Sequence, residues 1–187
     1  MPPKVKITKK EIIEAAIDII RRNGTDALNA RNIAASLGCS TQPIFSNFET
    51  MEKLQAETAV AAYDIYFGFL EKECENGKYP RYKAFGMAYI RFAEEEKELF
   101  KLLFMCDRTG EKPNYTIDFN DSVEMIMQMN NITREKAELM HIEIWTCVHG
   151  IATMLATSFI NFDWDFISDM VSDVYHGIRL RHLSEEK

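Results

Sequence analysis

The sequence lacks the punctuation of a β protein and the long apolar runs of a membrane one. Glycine is sparse, at 8 residues in 187, and proline rarer still, at 5. No segment alternates Val, Ile or Thr with polar residues at period two, so strands have no pattern on which to form. Nowhere do about 18 apolar residues run together, and the N-terminal region carries lysines and the acidic "KKEIIEAAIDII" where a secretory signal would place its apolar run and cleavage site. The expectation is a soluble protein that stays in the cytoplasm. The four cysteines (Cys39, Cys74, Cys106, Cys147) show no CxxC spacing and lie in amphipathic contexts where Cys acts as a small hydrophobe. That usage fits a reducing compartment and argues against a zinc site. No nucleophile elbow, phosphate loop or HExxH is present, and neither a cofactor nor a catalytic residue is expected.

What remains is helical periodicity throughout, so the fold class is all-α. Thr8 stands before "KKE" with Glu11 at the capping-box position and opens a first helix whose Ile12, Ile13, Ala16, Ile17, Ile19 and Ile20 turn inward until Asn23-Gly24. Asn29 caps a short second helix, "ARNIAASL", ended by Gly38. Ser40 or Thr41 caps a third, where Pro43 is tolerated because first-turn amides have no intrahelical acceptor. Thr50 caps a long fourth helix with Met51, Leu54, Thr58, Ala61, Ile65 and Phe69 on one face as far as Asn76-Gly77. Helices of roughly 81 to 95 and 96 to 106 follow, divided by "EEEKE", which reads as a solvated face and a helix start. "DRTGEKPN" is a loop. Helices of about 115 to 129, 134 to 160 and 165 to 182 complete the chain, with Thr133 and Asp163 as caps.

Residues 1–49 form a three-helix head and 50–187 a helical body. The head's expected core is Ile17, Ile20, Leu28, Ile33, Ala34, Leu37, Ile44, Phe45 and Phe48. Charge divides the same way. Through Phe48 seven Lys and Arg face four acids, net +3, whereas the remainder carries fifteen against twenty-five, net −10. A basic head on an acidic body suits a polyanionic partner for the head alone.

With Gly38 in a turn, Ile33, Ala34, Leu37, Cys39 and Ile44 fall into a helix-turn-helix register, in which small Ala34 lets the second helix touch the third and Gly38 bends the chain where a Cβ would clash. With Ile44, Phe45 and Phe48 given to the core or its rim, Thr41, Gln42, Ser46 and Asn47 face outward near the start of the third helix. There Gln and Asn can pair bidentately with adenine, and Ser or Thr can donate or accept. Caps and ordinary surface polarity would use the same residue types.

The run "KKEIIEAAIDIIRRNGTDALNARNIAASLGCSTQPIFSNFETMEKL" resembles the DNA-binding domain of the tetracycline-repressor (TetR) family of bacterial transcriptional regulators over residues 8 to 54. The likeness is carried by "AA" in the first helix, the Gly after it, the capped Arg-x-Ile-Ala, the Gly-x-Ser turn, an aromatic with Phe three residues on, and Lys-Leu opening the fourth helix. Phe45 departs from the family's usual Tyr, and Asn47 from its frequent His; the phosphate contact of the Tyr hydroxyl is thereby in question, with Asn47 a partial replacement. The resemblance implies that Asn29 and Arg31 on the second helix, Ser40, Thr41, Gln42, Pro43, Phe45, Ser46 and Asn47 around the third, and Lys53 on the fourth meet phosphates and bases. Lys4, Lys6, Lys9 and Lys10 would form an arm along the backbone or minor groove. It also implies a homodimer on a palindromic double-stranded DNA operator, usually as a repressor, released by a small-molecule effector.

The helix from Thr133 to Ile160 is apolar on two stripes: Met140, Ile144, Val148, Ile151 and Leu155 on one, and Ile142, Trp145, His149, Ala152 and Phe159 on the other. Such a helix needs cover on both sides. One side can be its own core and the other a second copy, with Ile167, Met170, Val171, Val174 and Ile178 of the last helix completing an intersubunit bundle. "EIWTCVHGIATML" is also similar to a TetR subclass whose C-terminal domain carries Trp and then His-Gly, matched here by Trp145, His149 and Gly150. By the family resemblance, Tyr63, Phe67, Phe85, Tyr89, Phe92, Phe104, Met105, Met125, Trp145 and His149 are candidates to line an effector pocket, although any of them serves equally as plain core. Two other readings stand beside the regulator. Glu138-x-x-His141 and Asp173-x-x-His176 each set a carboxylate and an imidazole one turn apart, as di-iron helical bundles do, without the paired Glu those sites need. A ligand-binding helical protein without DNA activity is the third.

Overall fold

A computed structural model describes residues 7–107 and 119–184 of the chain. Among them are nine α-helices, one 3-10 turn and no strand. Most of "DRTGEKPN" and the start of the helix expected from about 115 lie outside the described residues. The chain forms two compact units. One runs to Phe67 and takes in Glu96–Cys106; the other holds Gly68–Glu95 and the residues from Asp107 onward.

The first unit holds α1 (Lys9–Asn23), a 3-10 turn (Thr25–Ala27), α2 (Ala30–Ser36), α3 (Gln42–Asn47), the beginning of α4 (Met51–Asn76) and, after α5 (Arg81–Glu95), α6 (Lys97–Phe104). The capping box at the start of α1 is complete: Glu11 N–H donates to Thr8 Oγ1 at 3.2 Å, and Thr8 N–H donates to Glu11 Oε2 at 2.7 Å. That backbone donor is the main reason the Glu11 carboxyl titrates below its ordinary range. The helix buries Ile12, Ala15, Ala16, Ile17, Ile19 and Ile20 and leaves Ile13 half-buried.

Gly24 ends α1 at φ 77° and ψ 174°, with its N–H donating to Ile20 O at 2.8 Å. That backbone region is open essentially to glycine alone, and a Cβ here would sit 3.2 Å from Glu98 Oε2. Gly24→Ala is therefore expected to cost about 1–3 kcal/mol. A thermal melt should show the midpoint falling by several degrees, and an unchanged midpoint would contradict it. Gly38 is required for a different reason than steric relief. A Cβ there meets nothing within 4 Å, but φ is 63°, which lets Cys39 N–H reach back to Ala34 O at 2.9 Å.

The core of the first unit corrects the expected one. Ile33, Ala34, Ile44 and Phe48 are buried as the register requires, but Leu37 is only half-buried and Phe45 is 48% exposed. The core is enlarged from further along the chain, because α6 packs on α1 and buries Leu99, Phe100 and Leu103. Each such side chain contributes about 1.5–3 kcal/mol by leaving water. Glu96, expected on a solvated face, forms a two-pronged ion pair with Arg21 at 2.9 and 2.7 Å. Only 17% of its side chain is exposed. On the part of α4 in this unit the buried positions are Leu54, Thr58, Ala62 and Tyr66, so the stripe advances by fours and leaves Ala61 and Ile65 at its edge. The Thr58 hydroxyl satisfies itself on Leu54 O at 2.8 Å.

In the second unit α8 (Arg134–Ala156) is the axial helix, with α5, α7 (Phe119–Asn130) and α9 (Trp164–Ser184) packed on it. Its inner stripe, Met140, Ile144, Val148, Ile151 and Leu155, is buried as the periodicity requires. Among the described residues α8 is long and apolar enough to span a membrane by length and composition, a test that a core helix with three neighbours also meets. It stops at Ala156, short of the expected end near 160. Ser158 takes φ 55° and Phe159 N–H turns back to Met154 O at 2.9 Å, closing the helix without glycine. Asp163 caps α9, its Oδ1 accepting from Asp165 N–H at 2.8 Å and Phe166 N–H at 3.2 Å.

Candidate nucleic-acid interface

The turn between α2 and α3 brings Asn29, Ala30, Arg31, Asn32, Thr41 and Phe45 around one surface depression. α2 starts here because Asn29 Oδ1 accepts from Asn32 N–H at 2.9 Å, while Asn29 Nδ2 donates to Ala27 O at 3.3 Å. Asn29 is thus committed as a cap, with its side chain still on the surface. Arg31 is exposed and makes no hydrogen bond or ion pair among the described residues. A guanidinium held near a helix start with no carboxylate to neutralise it is suited to an external anion.

α3 begins without a side-chain cap. Thr41 occupies the capping position but its hydroxyl makes no capping bond, because Pro43 offers no N–H and Ile44 N–H donates to Thr41 O at 3.1 Å. The expectation that Ser40 or Thr41 caps this helix is corrected on that account. Ser40, Gln42 and Ser46 are exposed, and Thr41 and Pro43 are half-buried. Ser46 donates its proton to Gln42 O at 2.8 Å, which leaves its oxygen as an outward acceptor. Asn47 does not simply face outward. It is half-buried, and its Nδ2 donates to Pro43 O at 2.8 Å and to Ile7 O at 3.3 Å, tying the end of α3 to the residue where the described chain begins. A side chain so engaged is a poor substitute for a missing phosphate donor.

The cations around this face are held loosely. Lys53 pairs with Glu49 at 2.5 Å with both side chains largely in solvent, and Lys10 lies 3.7 Å from Glu14. Exposed pairs of this kind contribute about 0–1 kcal/mol and yield readily to a phosphate. Lys9 is bound more firmly, to Glu57 at 2.5 Å and over the Phe48 ring at 5.1 Å. Lys4 and Lys6 lie outside the described residues.

The aromatic candidates for a pocket fall in both units. In the first, Tyr63 meets Phe104 edge-on at 6.0 Å and Phe67 at 6.4 Å, and Met105 is exposed. In the second, the Tyr89 hydroxyl is hydrogen-bonded to His149 Nδ1 at 2.8 Å, and Trp145 stacks on the same imidazole at 4.9 Å. Burial lowers the pKa of His149. Phe92 is fully buried against Phe69 at 5.5 Å, Phe85 lies under the Arg81 guanidinium at 5.8 Å, and Met125 is half-buried.

The carboxylate–imidazole pairs have other roles. Glu138 is paired with Arg134 at 3.0 Å, buried His141 is hydrogen-bonded to the Tyr82 hydroxyl at 2.9 Å, and His176 is exposed beside Tyr175. Among the described residues no group of three or more His, Cys, Asp or Glu is placed to hold a metal. Sequence reasoning missed the Arg21–Glu96 pair and the Arg91 guanidinium, which stacks on Trp164 at 4.1 Å and pairs with buried Glu73 at 3.1 Å. Nothing in local spacing marks either.

α1 to α3, with α2 and α3 joined through the turn at Gly38, form a helix-turn-helix ahead of the longer helices of the chain. No protein-family model matches the chain. A curated relative, an uncharacterised HTH-type transcriptional regulator of Mycobacterium tuberculosis, is 20% identical over 182 residues, covering 94% of this chain and 84% of the relative. Among solved structures the chain is similar to a TetR-like transcriptional regulator from Rhodococcus sp. RHA1, with TM-score 0.61, 15% identity and 98% of each chain covered. It is also similar to a TetR family member from Streptomyces coelicolor A3, with TM-score 0.60, 13% identity and 89% and 96% of the two chains covered. The fold is that of the TetR-like regulators, over nearly the whole chain.

Proposed function

We propose that this protein is a DNA-binding transcriptional regulator, acting in the cytoplasm as a homodimer on a palindromic operator and released from it by a small-molecule effector. The observation that carries this reading is the outward face of α3, with Gln42 and Ser46 exposed beside an Arg31 that has no partner among the described residues. In this reading residues 1–49 supply the DNA contacts, and 50–187 supply dimerisation and the effector site, around Tyr89, His149 and Trp145. Recognition helices of a dimer must lie about 34 Å apart to enter successive major grooves. Catalysis forms no part of the proposal.

Selecting bound fragments from the source genome tests it directly. If about five basic side chains per subunit meet phosphate, the log–log slope of affinity against salt should be about −9 for the dimer, near −0.9 for each neutralised phosphate. A flat salt response, or no enriched fragment, would reject the reading.

A further inference from the structure

We infer that Phe45 reads the C5 methyl group of a thymine, so that each half-site of the operator carries a thymine facing the depression between α2 and α3. The inference rests on the DNA-binding reading and adds to it a sequence requirement.

Three observations support it. Phe45 is 48% exposed, whereas the neighbouring Ile44 and Phe48, at 0% and 3%, already fill the core of the head. The ring is therefore not needed for folding where it stands. Next, it lies one turn after Thr41 on α3 and shares its depression with Arg31 and Asn29, so any duplex that docks on α3 meets the ring together with a cation. Finally, the side chain offers no donor or acceptor. It can neither hydrogen-bond a phosphate nor read a base's polar edge, and covering it with either would strip water from a polar group without replacement. The apolar group that base edges present in the major groove is the thymine methyl, and Phe is one of the side chains that contacts it. With Arg31 on the phosphate, the ring's natural partner lies just inside the groove.

The test uses the full-length protein and an operator obtained by fragment selection. Each thymine is replaced in turn by deoxyuridine, which keeps base pairing and removes only the methyl, and affinity is measured by fluorescence anisotropy. One position per half-site should lose about fourfold in affinity, and about fifteenfold when both half-sites are changed, the effect of uncovering one methyl group in each. The Phe45→Ala protein, whose fold is checked by circular dichroism, should bind the thymine and deoxyuridine operators equally. Two outcomes overturn the inference while leaving DNA binding intact. Either no thymine is sensitive, which puts the ring on sugar, or the sensitive thymine stays sensitive in Phe45→Ala, which assigns the methyl to another residue. Failure to select any fragment would instead remove the underlying reading.

Discussion

Ile142→Glu combined with Leu180→Glu is expected to give a monomer whose operator affinity is about 10²–10⁴-fold lower, the factor lost when two linked binding events become separate ones. Both residues are exposed in the single chain, at 48% and 71%. Hydrogen bonding of Glu143 to His182 at 3.0 Å, together with its pairing to Arg181, brings Ile142 and Leu180 to the same end of the α8–α9 pair. Leu139 and Trp145 on α8 and Phe166 on α9 are exposed as well. In the proposed homodimer these large apolar side chains on two packed helices are the association surface. A twofold interface brings the same patch from both copies together, so two substitutions place four carboxylates in it, each losing its hydration. Because the residues are exposed in the monomer, the fold itself should survive. Sedimentation equilibrium decides the matter: a double variant that is still dimeric at micromolar concentration would refute this face as the interface.

The second large effect is on stability in acid. Burial lowers the pKa of His141 from 6.5 to about 4. Above pH 6.5 the imidazole is neutral in both folded and unfolded chains and costs nothing. Below it the unfolded chain takes up a proton that the folded one refuses until about pH 4, so stability drains away across that window and levels off beneath it. The loss assignable to this one residue is about 3 kcal/mol, at 1.36 kcal/mol for each unit of pKa difference. The neighbouring Tyr82 hydroxyl keeps its proton throughout, since burial moves its titration far upward. His141→Gln retains a hydrogen-bonding side chain for Tyr82 and does not titrate. Urea unfolding at pH 7 and pH 4 should show wild type losing about 3 kcal/mol more than this variant, and parallel losses would show that His141 titrates normally.

Much of the fold could be read locally. Thr8 with Glu11, Asn29, Thr133 and Asp163 announce helix starts because capping is a matter of a few neighbouring atoms, and each makes its bond. The inner stripe of α8 could be read for the same reason: periodicity is a property of one segment. Phe45 could not. In "IFSNF" three apolar residues compete for a small interior that Ile44 and Phe48 take, while Leu99, Phe100 and Leu103 join the same unit's core from α6, more than 50 residues further on. Asn47 is engaged by Pro43 O one turn back and by Ile7 O, and only the second of these contacts, spanning 40 residues, lies beyond local reading. The end of α8 escaped notice because Ser158 does in a left-handed conformation what glycine ordinarily does. For the proposed recognition face, residue type and register indicated Gln42 and Ser46 and the family resemblance indicated Arg31, while hydrogen-bond geometry separated side chains free to meet a ligand from those engaged in holding the backbone.

The first unit is assembled from two stretches of chain, with α5 and the end of α4 intervening before α6 arrives. A nascent chain leaving the ribosome therefore cannot close this unit when Asn47 emerges, because Arg21 must wait for Glu96 and the α1 surface for Leu99 and Phe100. The basic head is completed only when α6 is out, while α7 to α9 are still to be made, and a chain released early would carry α3 on an unfinished support.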